Sequence, residues 1–124
     1  MATILLIDDE DLLREGISEL LGMSDHTVIE ARDGLEALDL FERQKIDLVI
    51  TDVVMPRMDG VDLVTRLREA HPNLPILTIS GGSRVVNARF GLDSALLMGA
   101  NDSLTKPFNA KQLLEKVQKL LEAA

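Results

Sequence analysis

The feature that most constrains this chain is an alternation. Five short apolar runs rich in branched residues are each followed by a stretch with helical spacing, from one end of the sequence to the other. The runs are Thr3 to Ile7, Thr27 to Glu30, Asp47 to Thr51, Pro75 to Ile79 and Asn101 to Thr105. The first, third and fourth are nearly unbroken Ile, Leu and Val, the pattern of strands covered on both faces rather than on one. Between them, apolar residues recur at helical intervals: Leu13, Ile17, Leu20 and Leu21, then Leu38 and Phe41, then Val64 and Leu67, and finally Leu114, Val117 and Leu121. Strands that alternate with helices predict a parallel sheet with helices packed on both sides, so the class is α/β. Asp33-Gly34 and Asp59-Gly60 read as turns that open helices, while Pro72 and Pro75 bracket the end of the third helix and the entry to the fourth strand. No repeat, linker or low-complexity tract interrupts the pattern, and 124 residues suffice for one core, so residues 1–124 are read as one domain.

Composition narrows the function classes. Twenty-one acidic against 13 basic residues give a net charge of -8, which repels nucleic acid and anionic membrane surfaces. With no Cys, neither disulfides nor thiolate chemistry is available; with no long apolar run or leader-like start, a cytoplasmic location is expected.

In an open α/β sheet, ligands bind beyond the carboxyl ends of the strands near the topological switch point. The residues there are Asp8-Asp9, Asp52, Ser80 and Lys106, so three carboxylates, a hydroxyl and an ammonium are expected at one edge. Two carboxylates about 4 Å apart repel by roughly 4 kcal/mol at an effective dielectric near 20, so such a cluster needs a proton or a cation. Lys106 supplies one charge; oxygen ligands and the remaining negative charge suit Mg²⁺, or Mn²⁺, better than zinc. An aspartate, a metal and a lysine together fit phosphoryl transfer to a carboxylate. Taken singly, each signal has a plain reading: Asp8-Asp9 as a helix N-cap, Asp52 as a turn residue, Ser80 as a loop serine, Lys106 as a solvated side chain.

Asp8-Asp9, the stretch Asp52-Val-Val-Met-Pro-Arg-Met-Asp-Gly60, Ser80-Gly81 and Lys106-Pro107-Phe108 together resemble the signature of response-regulator receiver domains of two-component signalling, and the resemblance spans the chain. It implies a flavodoxin-like (βα)5 doubly wound fold with strand order 2-1-3-4-5, the order of the chemotaxis receiver. It makes Asp52 the phosphoacceptor and gives Asp9, Asp52 and the backbone carbonyl of Val54 as metal ligands, with Asp8 acting largely through a metal-bound water. Ser80 and Lys106 would hold the phosphoryl oxygens, and a cis peptide is expected between Lys106 and Pro107. Implied partners are a sensor histidine kinase or histidine phosphotransfer protein and a downstream protein target. The expected protein is a stand-alone switch rather than an enzyme, a monomer or a weak phosphorylation-dependent dimer, with no direct contact to nucleic acid or membrane.

The chain departs from the family at Ser103, where many receivers carry Tyr or Phe, and it holds no Tyr or Trp at all. The usual coupling between Ser80 and an aromatic side chain therefore cannot operate in that form. The stretch from Ser80 to Lys106 exceeds the family's usual length by about one helical turn and opens with Gly81-Gly82, so the segment Arg84 to Met98 is expected to form a partner-specific surface. His26, His71, the Met and Phe residues and the Arg84 and Arg89 side chains are read as ordinary surface or packing residues. Among rivals, an aspartate-nucleophile phosphatase would need an acid where Val54 stands. A flavodoxin would need a phosphate loop where Asp8-Asp9-Glu10-Asp11 would repel phosphate. A pseudo-receiver that binds partners without phosphorylation remains the alternative, encouraged by Ser103.

Overall fold

The computed structural model describes residues 2–53, 60–80 and 99–123, with side chains for all of these except residues 60, 61 and 80. Val54, Gly81, Arg84, Arg89 and the segment from Arg84 to Met98 lie outside the described residues, as does the side chain of Ser80. The elements run β1 (Thr3–Ile7), α1 (Asp11–Met23), β2 (Thr27–Ala31), α2 (Gly34–Arg43), β3 (Leu48–Asp52), α3 (Gly60–Ala70), β4 (Ile76–Ser80), β5 (Asp102–Thr105) and α4 (Ala110–Ala123). All strand pairings are parallel and the order is β2-β1-β3-β4-β5, as expected from the resemblance. Strand bounds differ from the expected ones by a residue at some ends. At β4 the cause is Pro75, which has no N–H to give and joins the ladder only through its carbonyl, 3.0 Å from the Val49 nitrogen.

Strand periodicity sorts the core into two layers. Leu5, Ile7, Val49 and Ile76 point to one side, where they meet Ala37 of α2 and Leu63, Val64 and Leu67 of α3. Ile4, Leu6, Leu48, Ile50, Leu77 and Ile79 point to the other, against Ile17 and Leu21 of α1 and Leu113 and Val117 of α4. Helices thus cover both faces, which is why Ile, Leu and Val fill most positions of the middle strands. The central strand β3 is buried throughout, including its polar last residues Thr51 and Asp52. Among the described residues, no helix is long and apolar enough to cross a membrane.

Helix starts follow local chemistry. Asp33 caps α2 by accepting the Glu36 N–H at 2.9 Å, and Glu36 reaches back to the Arg32 N–H at 3.0 Å. Asn109 and Gln112 exchange the same kind of bonds at the start of α4, at 2.8 and 2.9 Å, a capping box that fixes where the chain leaves the Lys106–Pro107 turn.

On the far side of β4, Arg68 of α3 ties together two distant pieces of chain. Its guanidinium donates to the carbonyls of Gly99, His71 and Pro72 and to the Asn101 side chain, which also accepts the Ile76 N–H. Gly99 has φ of 118°, and a Cβ there would sit 2.8 Å from the Arg68 side chain, so both the backbone and the clamp require glycine.

The two histidines have structural contacts. His26 Nδ1 accepts the Ala2 N–H at 3.2 Å, and the His71 ring lies tilted on Phe41 at 4.4 Å between centroids.

Candidate phosphoacceptor and cation site

Strand order places the ends of β1 and β3 side by side and brings β5 in beyond β4, so Asp8, Asp52 and Lys106 emerge along one edge of the sheet. The switch point of the fold lies between β1 and β3, where the chain turns to opposite faces. Asp8 leaves β1 with its N–H bonded to the Ala31 carbonyl of β2 at 3.2 Å, and its carboxylate accepts the Glu10 N–H at 2.9 Å. The helix N-cap is therefore Glu10 rather than either aspartate, and Glu10 makes no side-chain cap bond of its own. Its carboxylate instead faces Lys106.

Lys106 Nζ stands 3.4 Å from Asp8 Oδ2, 3.4 Å from Glu10 Oε1 and 3.8 Å from Asp52 Oδ2. Carboxylate oxygens of Asp8, Glu10 and Asp52 all lie within 4.8 Å of one another. Asp8 and Asp52 are buried, Glu10 is exposed, and the Lys106 side chain is only 14% exposed. The cluster is thus a small acidic pocket floored by two buried aspartates, rimmed by Glu10 and crossed by one ammonium. Lys106 reaches it from a turn with the expected cis Lys106–Pro107 peptide, beside Phe108 packed on the α1/α4 core layer.

The electrostatics follow from this geometry. Burial raises the Asp8 pKa above its ordinary value of 3.8, outweighing the Glu10 N–H and the Lys106 ammonium that favour its charged form. Burial pulls Lys106 the other way, but Asp52, Asp8 and Glu10 outweigh it and hold its pKa above the usual 10.5. A carboxyl whose folded pKa is raised binds its proton more tightly in the folded state, so folding stability falls as pH rises through the window above 3.8. Lys106 acts oppositely at the alkaline end: its contribution is complete below 10.5 and is lost as pH rises through its folded pKa.

Asp8→Asn should therefore stabilise the metal-free protein at neutral pH, by about 1–2 kcal/mol, because one of three facing carboxylates loses its charge and the amide oxygen can still accept the Glu10 N–H. Urea denaturation without divalent ions at pH 7 and pH 4.5 checks this. The gain should shrink on acidification, and a variant less stable than wild type at pH 7 would contradict the electrostatic reading.

Three oxygen-only donors with one lysine leave excess negative charge, and that donor set fits a hard divalent cation with water completing its shell. The residues expected from sequence are only partly those that converge. Asp8, Asp52 and Lys106 meet, whereas Asp9 is exposed and is not among the three carboxylates within 4.8 Å. Glu10 stands in the cluster and was not anticipated; its signal was its place in an acidic run directly after the first strand. Ser80 ends β4 in register with Thr105 at the same edge. Ser103 is half-buried on β5 opposite Thr78, its N–H donating to Asp102 Oδ1 at 2.8 Å, while Lys116 of α4 pairs with that same oxygen at 2.9 Å.

A second residue that periodicity did not single out is Arg14. It lies buried on α1 in one stripe with Ile17 and Leu21, and it donates to the Asp8 carbonyl at 2.7 Å, to Asp11 at 2.8 Å and to Glu30 at 3.0 Å.

A family model for the response regulator receiver domain matches residues 4–118. The chain belongs to this family. Among its relatives, the response regulator MprA of Mycobacterium sp. (strain KMS) is 39% identical over 118 residues, covering 95% of this chain and 50% of that protein. MprA of Mycobacterium leprae is 37% identical over the same length. The receiver thus spans about half the length of these curated relatives. Among solved structures, the receiver domain of NtrX from Brucella abortus superposes with a TM-score of 0.89 at 31% identity, covering 98% of this chain and 99% of that one. A response regulator receiver domain protein from Clostridium thermocellum gives 0.87 at 30% identity, covering 99% and 96%. The acidic pocket at the carboxyl edge is therefore that of a receiver in two-component signalling, a class that generally binds Mg²⁺ and meets histidine kinases or phosphotransfer proteins.

Proposed function

We propose that this receiver is a phosphorylatable switch in which Asp52 accepts a phosphoryl group from a phosphohistidine donor in a Mg²⁺-dependent reaction. The observation that carries the reading is the convergence of two buried aspartates, Glu10 and Lys106 on one point at the sheet edge. An Asp52 carboxylate oxygen attacks phosphorus, the N–P bond to the donor imidazole breaks, and an aspartyl phosphate forms. Mg²⁺, when bound, neutralises charge on the transferring oxygens. Asp8, Asp9, Asp52 and the Val54 carbonyl, joined by Glu10, are the residues that would hold it. Lys106 pairs with a phosphoryl oxygen in place of the carboxylates it now faces, and the Ser80 hydroxyl donates to another.

The reaction ends with the phosphoryl group on the protein, so the product is a changed surface rather than a released compound. Val54 supplies no acid for turnover, which favours a switch over a phosphatase. With Ser103 in place of an aromatic residue, the change is read out through contacts other than an inward-swinging ring. The signal then passes to a protein partner or onward along a phosphorelay.

Incubation with a phosphorylated phosphotransfer protein followed by borohydride reduction tests the assignment, because an aspartyl phosphate is reduced to homoserine. Homoserine at position 52 is expected. An unmodified Asp52 after exposure to competent donors would favour the pseudo-receiver, a module that binds partners without phosphorylation.

A further inference from the structure

Arg14 is a charged residue in an apolar stripe, and its side chain is 8% exposed. Burying a guanidinium is costly unless its donors are met, and here they are met by three acceptors from three separate elements. Nη1 donates to the carbonyl of Asp8 at the end of β1, Nη2 to Asp11 in the first turn of α1, and Nε to Glu30 on β2. The carbonyl is the informative partner. It belongs to the peptide linking Asp8 to Asp9, so fixing it fixes the plane from which Asp8, Asp9 and Glu10 depart. Other bonds also hold the same turn, namely the Asp8 N–H on Ala31, the Glu10 N–H on Asp8 Oδ1, the Arg14 N–H on the Glu10 carbonyl and Lys106 Nζ on the Asp8 and Glu10 carboxylates, but none of these takes the Asp8 carbonyl. Among the described residues, the guanidinium is what grips that carbonyl, and it does so from the helix side.

We propose that Arg14 is a positioning residue for the cation site, setting the β1–α1 turn so that the carboxylates of Asp8 and its neighbours are held ready for a divalent ion. The proposal rests on reading the acidic cluster as a Mg²⁺ site. A fork-shaped donor is needed because one side chain must reach a backbone carbonyl and two carboxylates at once, and a lysine offers a single point charge.

Charge and position make opposite predictions. If Arg14 acted on the site only as a nearby positive charge, its removal would tighten Mg²⁺ binding, since one repelling cation is gone. If it acts by holding the turn, removal weakens binding, as loss of a supporting partner does at metal sites, by roughly 10-fold or more. If it serves stability alone, the thermal midpoint falls and the affinity stays put.

The test is a Mg²⁺ titration followed by amide chemical shifts on wild type, Arg14→Met, Arg14→Lys and Glu30→Gln, at a temperature where each is folded. Arg14→Met is expected to weaken binding about 10-fold, Arg14→Lys by less, and Glu30→Gln, which leaves the Asp8 carbonyl bond in place, by no more than about twofold. Should Arg14→Met fail to fold, Arg14→Lys decides, because it keeps the charge and loses the fork. Unchanged or tighter binding in the folded Arg14 variants would overturn the proposal. Absence of Mg²⁺ binding by wild type would instead remove the cation reading on which it rests.

Discussion

Lys106→Met is expected to slow phosphoryl transfer from acetyl phosphate to Asp52 by about 100-fold or more, the usual cost of deleting one preorganised charge partner of a reacting oxygen. Methionine keeps most of the buried stem, so packing beside Pro107 and Phe108 is preserved while the ammonium is lost. Two consequences follow from the distances. Asp8, Glu10 and Asp52 face one another without the cation that stood 3.4 to 3.8 Å from each, so the metal-free variant should be less stable at neutral pH and recover on acidification. The same loss removes a competitor for the pocket, so Mg²⁺ should bind the variant more tightly and restore its stability. Pseudo-first-order phosphorylation rates at saturating Mg²⁺, with a melting series across pH 5 to 8, check both. A rate within about threefold of wild type would remove Lys106 from the role assigned to it.

Leu77→Ala should show the converse, a large loss of stability with little loss of chemistry. Leu77 lies fully buried on β4 between Ile50 and Asp102 in register, in the layer under α1 and α4, away from the carboxyl edge. Truncation there leaves a cavity in a close-packed sheet and is expected to cost about 2–5 kcal/mol. Domains of this size are held by only about 5–15 kcal/mol, so the variant approaches the unfolding threshold at 37 °C. Urea unfolding at 15 °C checks the cost, and phosphorylation at that temperature should remain within about threefold of wild type. A shift below about 1 kcal/mol would mean that the layer can collapse around the gap.

The contrast between these two sites reflects what a sequence makes visible. The sheet could be read because strands covered on both faces are apolar over most of their length, and β1, β3 and β4 are mostly Ile, Leu and Val. Asp8, Asp52 and Lys106 could be read because strand ends are where an α/β fold puts its chemistry. The cis Lys106–Pro107 peptide was legible only through the family signature, since nothing in the tripeptide itself demands it.

Other features depend on three-dimensional company. Arg14 occupies a position that periodicity assigns to the core, and a lone arginine at that position does not announce the acceptors it finds beyond its own helix, at Asp8 and Glu30. Glu10 belongs to a run of four acidic residues, and which of them converge depends on how the β1–α1 turn is held. The clamp of Arg68 on Gly99 and Asn101 joins residues more than 30 positions apart, a separation at which neither spacing nor propensity carries information. In each case the missing knowledge is long-range pairing, which one sequence does not encode in any local pattern.

The most direct test of phosphoacceptance is intact-mass spectrometry after incubation with acetyl phosphate, with and without Mg²⁺, on wild type and Asp52→Asn. A gain of one phosphoryl group that requires Mg²⁺ and vanishes in the variant is the expected result. A folded wild-type protein that gains no mass from acetyl phosphate or from a phosphohistidine donor in the presence of Mg²⁺ would contradict it.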